Sequence, residues 1–223
     1  MGYCGERGEA MIHVITPFSR PENARILVDH LARQGVAVTW HPVVSSVPFP
    51  ADCLREWVSP MQVDVPRKMD AFAWKLKAFI ESGRIVDGER YGVLCDDDMY
   101  DDGLLAAVGR MTAPVVVVSM LRGDRVPERA DGGFCHPTDE LVAGPENMRV
   151  CGAGLQQCFM AGEVLREVEI DPWRAPFCDG LAVAQLGRQF KDVIRYAPGL
   201  HVLFNRLEPG RWAVDDEEVE RWR

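Results

Sequence analysis

Tyr91-Gly92-Val93-Leu94-Cys95-Asp96-Asp97-Asp98 is a short apolar run that ends in three consecutive carboxylates. The run reads as a strand, with Gly88 before it and acids after it. Three acids crowded at a strand end repel one another once water is withdrawn. A divalent cation removes that repulsion. Asp96 and Asp98 stand two residues apart, in Asp-x-Asp spacing. Hard cations such as Mg²⁺ and Mn²⁺ take oxygen ligands, often one or two carboxylates together with phosphate oxygens. Ligands of open α/β sheets bind at the carboxyl ends of the strands. The expectation is a metal site at the end of this strand, with a solvated acidic turn capping the next helix as the alternative.

Working outward, Met11 to Thr16 is apolar and β-branched, a first strand. Pro17 to Asn23 breaks it, and Pro21 suits the first turn of a helix. Ala24, Leu27, Val28 and Leu31 recur at helical spacing, and Gly35 stops the helix. Val36 to Val44 is a second strand, so the opening is a β-α-β unit with parallel strands. Ser45 to Pro66 is Pro-rich and irregular, with a short helix expected near 52–58. Arg67 to Ser82 is a helix whose buried stripe is Met69, Phe72, Ala73, Leu76, Phe79 and Ile80, ended by Gly83.

Asp101 and Asp102 open another helix after the acidic strand end. Val115 to Leu121 is a near-continuous apolar strand, as expected of a central one. Gly123 to Arg149 shows no periodicity, and a loop of that length is usually functional or mobile. A strand at 155–161, helices at 162–168 and 179–189, and short strands at 193–196 and 200–204 complete the pattern.

The 223 residues are 47% hydrophobic and 26% charged, a globular composition. The formal net charge of −9 argues against a general nucleic-acid binder, which shows a basic surface. Seven scattered cysteines without a Cys-x-x-Cys argue against a disulfide framework or a zinc site. Reduced thiols fit a cytoplasmic protein, peripheral attachment to a membrane being compatible. Met1 to Ala10 is polar and Gly-rich, lacks the apolar core of a signal peptide and reads as a flexible leader. No apolar run approaches the roughly 20 residues of a membrane span.

Several segments together resemble one family. Ile15-Thr16-Pro17-Phe18-Ser19-Arg20-Pro21 is similar to the first strand and loop of family-two-like nucleotide-diphospho-sugar glycosyltransferases. The helix from Arg67 and then Tyr91 to Asp98 resemble the lead-in to their Asp-x-Asp motif. Gly152-Ala153-Gly154 resembles the acceptor-side glycine segment, and Phe177-Cys178-Asp179-Gly180-Leu181 the later motif whose acid opens a helix. The likeness runs in order over about 11–205. It departs at Cys178, where a Glu is usual, and at Gln156-Gln157, where a basic pair is usual.

The resemblance implies a single-domain α/β protein of the glycosyltransferase A fold, with a mostly parallel central sheet flanked by helices. It implies a donor-binding half at 11–121 and an acceptor-binding half at 122–212, followed by an acidic helical tail at 213–223. The implied reaction moves a sugar from a UDP- or GDP-sugar to an acceptor hydroxyl with inversion, using Mn²⁺ or Mg²⁺. Thr16, Pro17, Phe18 and Arg20 then form the donor loop, with Asp96 at the ribose or a metal-bound water and Asp97 beside it. Asp98 and His201 would be metal ligands, and Gly154 and Trp173 would meet the acceptor. Asp179 would be the general base, which must reach the attacking hydroxyl.

Each role has a plainer counterpart: a helix N-cap for Asp179, a structural strand histidine for His201, and core or rim packing for Trp173. Lys68 and Lys75 are seven apart, hence on one helical face. That face meets either a diphosphate or solvent. His136 is a further acceptor candidate.

Three other enzyme or binding classes compete. An Asp-x-Asp phosphohydrolase would carry its motif on the first strand, and a nucleotidyltransferase would open with a Gly-rich basic loop. A catalytically inactive sugar-nucleotide binder would share every donor residue. Asp101 stands where a calcium loop of the EF-hand type needs glycine, and no Gly-x-Gly-x-x-Gly follows the first strand.

Overall fold

The computed structural model describes residues 11–66, 71–123, 137–150, 152–174, 178–204 and 207. The leader, Arg67, Lys68, His136 and the acidic tail lie outside that set. The described elements are β1 (Ile12–Pro17), α1 (Ala24–Ala32), β2 (Val38–Val44), β3 (Met61–Gln62), α2 (Ala71–Glu81), β4 (Arg90–Val93) and β5 (Met99–Tyr100). They continue with α3 (Leu104–Gly109), β6 (Val115–Gly123), β7 (Pro137–Leu141), β8 (Cys158–Ala161), α4 (Gly162–Glu167), α5 (Cys178–Gln189) and β9 (Ile194–Phe204).

One sheet runs in the order β3-β2-β1-β4-β8-β6-β9-β5, with β7 also on β6. It is parallel from β3 to β4 and again between β6 and β9, while β5, β7 and β8 run antiparallel to their neighbours. The Val115–Val118 run is buried on both faces. Val115 and Val117 join the core under α2, α4 and α5, and Val116 and Val118 join the core under α1 and α3. Alternation across the pleat thus builds a three-layer sandwich from one run of valines.

The β-α-β opening and the central strand lie where the sequence pattern put them. Gly83 follows α2 at φ +75°, the left-handed geometry that a helix-ending glycine supplies. The helix expected at 52–58 is a single 3-10 turn, Ala51–Cys53. The two short strands expected at 193–196 and 200–204 are one strand, β9. Pro198 and Gly199 sit in a register shift against β6, and the Ser119 hydroxyl donates to the Pro198 carbonyl at 3.0 Å. The stretch without periodicity contains β7, whose Pro-Thr-Asp-Glu-Leu composition hides a strand that only extends the edge of β6.

Register decides where chemistry can happen. β1 pairs β4 from Ile12–Arg90 to Ile15–Val93, and the Leu94 amide donates to the Ile15 carbonyl at 2.9 Å. The β1–α1 loop and the acidic turn after β4 therefore leave the sheet side by side.

Behind this edge, buried histidines tie the layers together. His30 of α1 accepts from the Tyr100 amide at 3.0 Å and sits 3.3 Å from the Gln34 amide nitrogen. A nitrogen that accepts from a backbone N–H carries no proton, so the ring is neutral. Burial lowers the His30 pKa to about 4, with Arg33 adding to the effect. Burial does the same to His41, also to about 4, with His13 beside it at 2.9 Å. Unfolded imidazoles titrate near 6.5, so between about pH 6.5 and 4 the unfolded chain binds more protons. Stability is complete above that window and is lost as pH falls through it, by about 3 kcal/mol for His30 at most. Urea unfolding from pH 7.5 to 4 will show this slope, and His30→Gln will remove its share. A pH-independent midpoint would contradict neutral buried rings.

Candidate active site

The acids of 96–98 occupy a tight turn closed by the Asp98 amide donating to the Cys95 carbonyl at 3.2 Å. All three are buried, Asp98 completely. Their surroundings differ. Asp96 faces the β1–α1 loop, where its carboxylate accepts from the Ser19 amide, the Arg20 amide at 2.8 Å and the Arg20 guanidinium. Its carbonyl accepts from the Asn23 side chain at 2.8 Å. Arg20 also reaches Asp97 at 3.4 Å. Arg20, expected in the donor loop, is held against the acids, and Asp96 fixes the shape of that loop.

Lys75 supports the same loop from below. It is 1% exposed, and its ammonium donates to the Phe18 carbonyl at 2.5 Å and to the Ser19 hydroxyl at 2.8 Å. Burial lowers its pKa, and Asp96 pulls it back up. The signal was in the sequence. Position 75 lies three after Phe72 and four before Phe79, on the buried stripe and not on a solvated face. Thr16, Pro17 and Phe18 are buried as well. The Thr16 hydroxyl accepts from the Trp40 indole at 2.9 Å, and Phe18 packs on Trp40 and Phe49. These side chains floor the loop, and its open part is Ser19.

Asp97, Asp98 and Cys95 bring one ligand atom each to within 4.8 Å of one another. Two buried carboxylate oxygens suit a hard cation, and a thiol suits it poorly. The Cys95 thiol is pushed well up by burial, then by Asp98 and Asp97, and takes a hydrogen bond from Gln156 at 3.0 Å. The oxygen donors thus fit Mg²⁺ or Mn²⁺, and Asp97 joins Asp98 where the sequence reading assigned it a donor contact. His201 is not in this group. Its ring lies 3.0 Å from Glu140 and 3.6 Å from Asp101, and ligation would require it to leave them.

The second half of the chain meets this turn through Gln156. Residues 155–157 form a 3-10 turn before β8. Gln157 anchors it, donating to the Val118 carbonyl at 2.9 Å and accepting from the Gly154 amide at 3.1 Å. Gln156 points the other way, toward Cys95, and is 7% exposed, with Oε1 making no hydrogen bond among the described residues. A Cβ on Gly154 would lie 2.4 Å from that oxygen and 3.7 Å from Asp179 Oδ2. A side chain at 154 would therefore push the Gln156 amide aside, and glycine leaves that space to it. Asp179 sits in the first turn of α5, its other oxygen accepting from the Gly180 amide at 2.7 Å. Its charge and burial push the buried Cys158 thiol to about 12, burial being the larger cause. Asp98, Cys95, Gln156, Gly154 and Asp179 form one continuous set. Sequence reading noted Gln156 only as a departure from a pattern. Its role depends on β8 lying beside β4, which no local signal carries.

Trp173 is elsewhere. It is 77% exposed on a 3-10 turn, in a cleft against α2 lined by neither Asp98 nor Asp179.

Sheet order and layer arrangement are those of the glycosyltransferase A fold. TarS of S. aureus superimposes over 87% of this chain and 35% of its own, at 13% identity and a TM-score of 0.53. A mannosyltransferase of Pyrobaculum calidifontis, solved with GDP-Man and Mn²⁺, covers 86% of this chain and 56% of its own, at 13% identity and a TM-score of 0.52. The chain thus spans 35% and 56% of these two relatives, and at such identity the likeness is one of fold. No known protein-family profile matches the sequence, and no curated protein matches it. Among the described residues no helix is long and apolar enough to cross a membrane.

Proposed function

We propose that this protein transfers a sugar from a nucleotide-diphosphate donor to an acceptor hydroxyl, with inversion at the anomeric carbon. The observation that carries this reading is the continuity from the buried Asp97–Asp98 pair, through Gln156 and Gly154, to Asp179. A pair of oxygen ligands and a separate carboxylate, on neighbouring segments, is what an in-line displacement from a charged leaving group needs.

Asp97 and Asp98 would hold Mn²⁺ or Mg²⁺, which when bound offsets charge on the departing diphosphate. Every other part is played by the chain. The Asp96–Arg20–Lys75 arrangement holds the β1–α1 loop in a fixed shape against which the nucleotide of a UDP- or GDP-sugar seats. Gly154 lets the acceptor segment approach without a side chain in the way. Asp179 takes the proton from the attacking hydroxyl as the new bond to the anomeric carbon forms. Residues 11–121 supply the donor side of this seam and residues 122–212 the acceptor side.

The test is a thermal-shift titration against UDP, GDP, CDP, ADP and TDP, each with and without Mn²⁺. A ligand that binds only the folded state raises the midpoint. One nucleotide is expected to raise it in the presence of metal, and Asp98→Ala is expected to erase that increment. The absence of any shift would remove the transferase reading and favour a phosphohydrolase. A shift without transfer to any acceptor would identify an inactive sugar-nucleotide binder.

A further inference from the structure

The cleft beside α2 has no part in the transfer chemistry above. It encloses about 540 Å³, within the range of small-molecule sites. Trp74, Lys77 and Ile80 of α2 form one wall, and Glu169, Asp171 and Trp173 form the other.

Its chemistry is specific in three ways. First, Trp173 is held in the open. Asp171 accepts from the Trp173 amide at 3.0 Å and from the Arg174 guanidinium at 3.3 Å, which staples the turn beneath the indole. An indole at 77% exposure adds little to folding, and its apolar face remains available for burial by a ligand. Second, the Trp74 indole N–H is already engaged, donating to the Asp64 carbonyl at 2.7 Å. That ring offers the cleft its face and no donor. Third, the cations are matched by nearby acids. Lys77 pairs with Glu81 at 2.7 Å, and Arg166 pairs with Asp87 and donates to the Ile85 carbonyl at 2.9 Å. Among the described residues, no surplus positive charge lines the cleft to await a phosphate. Glu169 and Asp171 still have oxygen lone pairs for hydroxyl donors.

A ligand with an apolar ring face and a rim of hydroxyls, and without charge, matches all three features. We propose that this cleft binds a neutral oligosaccharide, at a site separate from the transfer centre. The ligand class rests on the sugar-transferring function proposed above.

The experiment is calorimetric titration of the full chain with maltotetraose, cellotetraose, chitotetraose and mannotetraose, repeated on Trp173→Ala and Glu169→Gln. Saturable binding of at least one glycan is expected, weakened at least tenfold by Trp173→Ala and measurably by Glu169→Gln. Trp173 is exposed, so the Trp173→Ala melting midpoint should be unchanged, which separates lost binding from lost folding. If none of the four glycans binds saturably, or if Trp173→Ala binds as tightly as the unaltered chain, the proposal is overturned. The nucleotide titration is scored separately. Glycan binding that depends on Trp173 upholds the cleft even where no nucleotide shifts the midpoint. A nucleotide shift without glycan binding upholds the donor site and removes the cleft.

Discussion

Asp179→Asn is expected to lower the rate of sugar transfer by about 10²–10⁴-fold, the usual contribution of a general base. The nucleotide-induced thermal shift should be kept, because Asp179 lies on the acceptor side of Gln156 and Gly154 while the cation-binding carboxylates lie on the other. Asparagine keeps the oxygen that accepts from the Gly180 amide, so the first turn of α5 retains its local hydrogen bond. What it loses is the capacity to take a proton. A merely structural acid in that first turn would tolerate this change, since asparagine keeps the accepting oxygen. The two roles therefore separate cleanly in one variant: turnover falls and folding does not. Activity within a fewfold of the unaltered chain would remove Asp179 from catalysis and with it the inverting mechanism.

The pH dependence adds a second axis. The loss of stability below about pH 6.5 arises in His30 and His41, which lie behind the sheet edge and not in the site. Any pH effect on transfer that persists in His30→Gln at constant folded fraction belongs to the site itself.

Local pattern reached far into this fold because its signals are local. The valines of β6 and the helical stripe of α2 are fixed by their own periodicity, and Asp98 and Asp179 are marked by the elements they terminate or open. Three things were beyond its reach. Lys75, whose helical face is open in the sequence to either a diphosphate or solvent, is buried by its phase on α2 and meets the β1–α1 loop. Cys95 and Gln156 meet only because β8 inserts antiparallel between β4 and β6, and sequence separation hides that pairing. The placement of His201 between Asp101 and Glu140 likewise follows from β9 pairing with β5 and with β6, whose other partners include β7.

The acidic triplet also divides into two jobs, and Asp96→Ala tests the division. Asp96 is 2% exposed and accepts from two backbone amides and a guanidinium. Truncating one partner of a buried ion pair typically costs about 3–5 kcal/mol, because the remaining charge stays buried. Here two backbone donors also lose their acceptor, each a penalty of about 1–3 kcal/mol if water cannot reach it. These terms overlap, so a loss of about 3–5 kcal/mol in urea unfolding is the expected result. The nucleotide shift should disappear with it, since the β1–α1 loop loses its anchor. Asp96→Asn discriminates the alternatives. It can still accept from the Ser19 and Arg20 amides but no longer balances the guanidinium, so its cost should fall between zero and that of alanine. If Asp96 instead served mainly by touching a ribose, both variants would keep near-native stability and lose nucleotide affinity. Loss of stability ranked alanine over asparagine makes Asp96 a positioning residue and leaves the cation to its two neighbours.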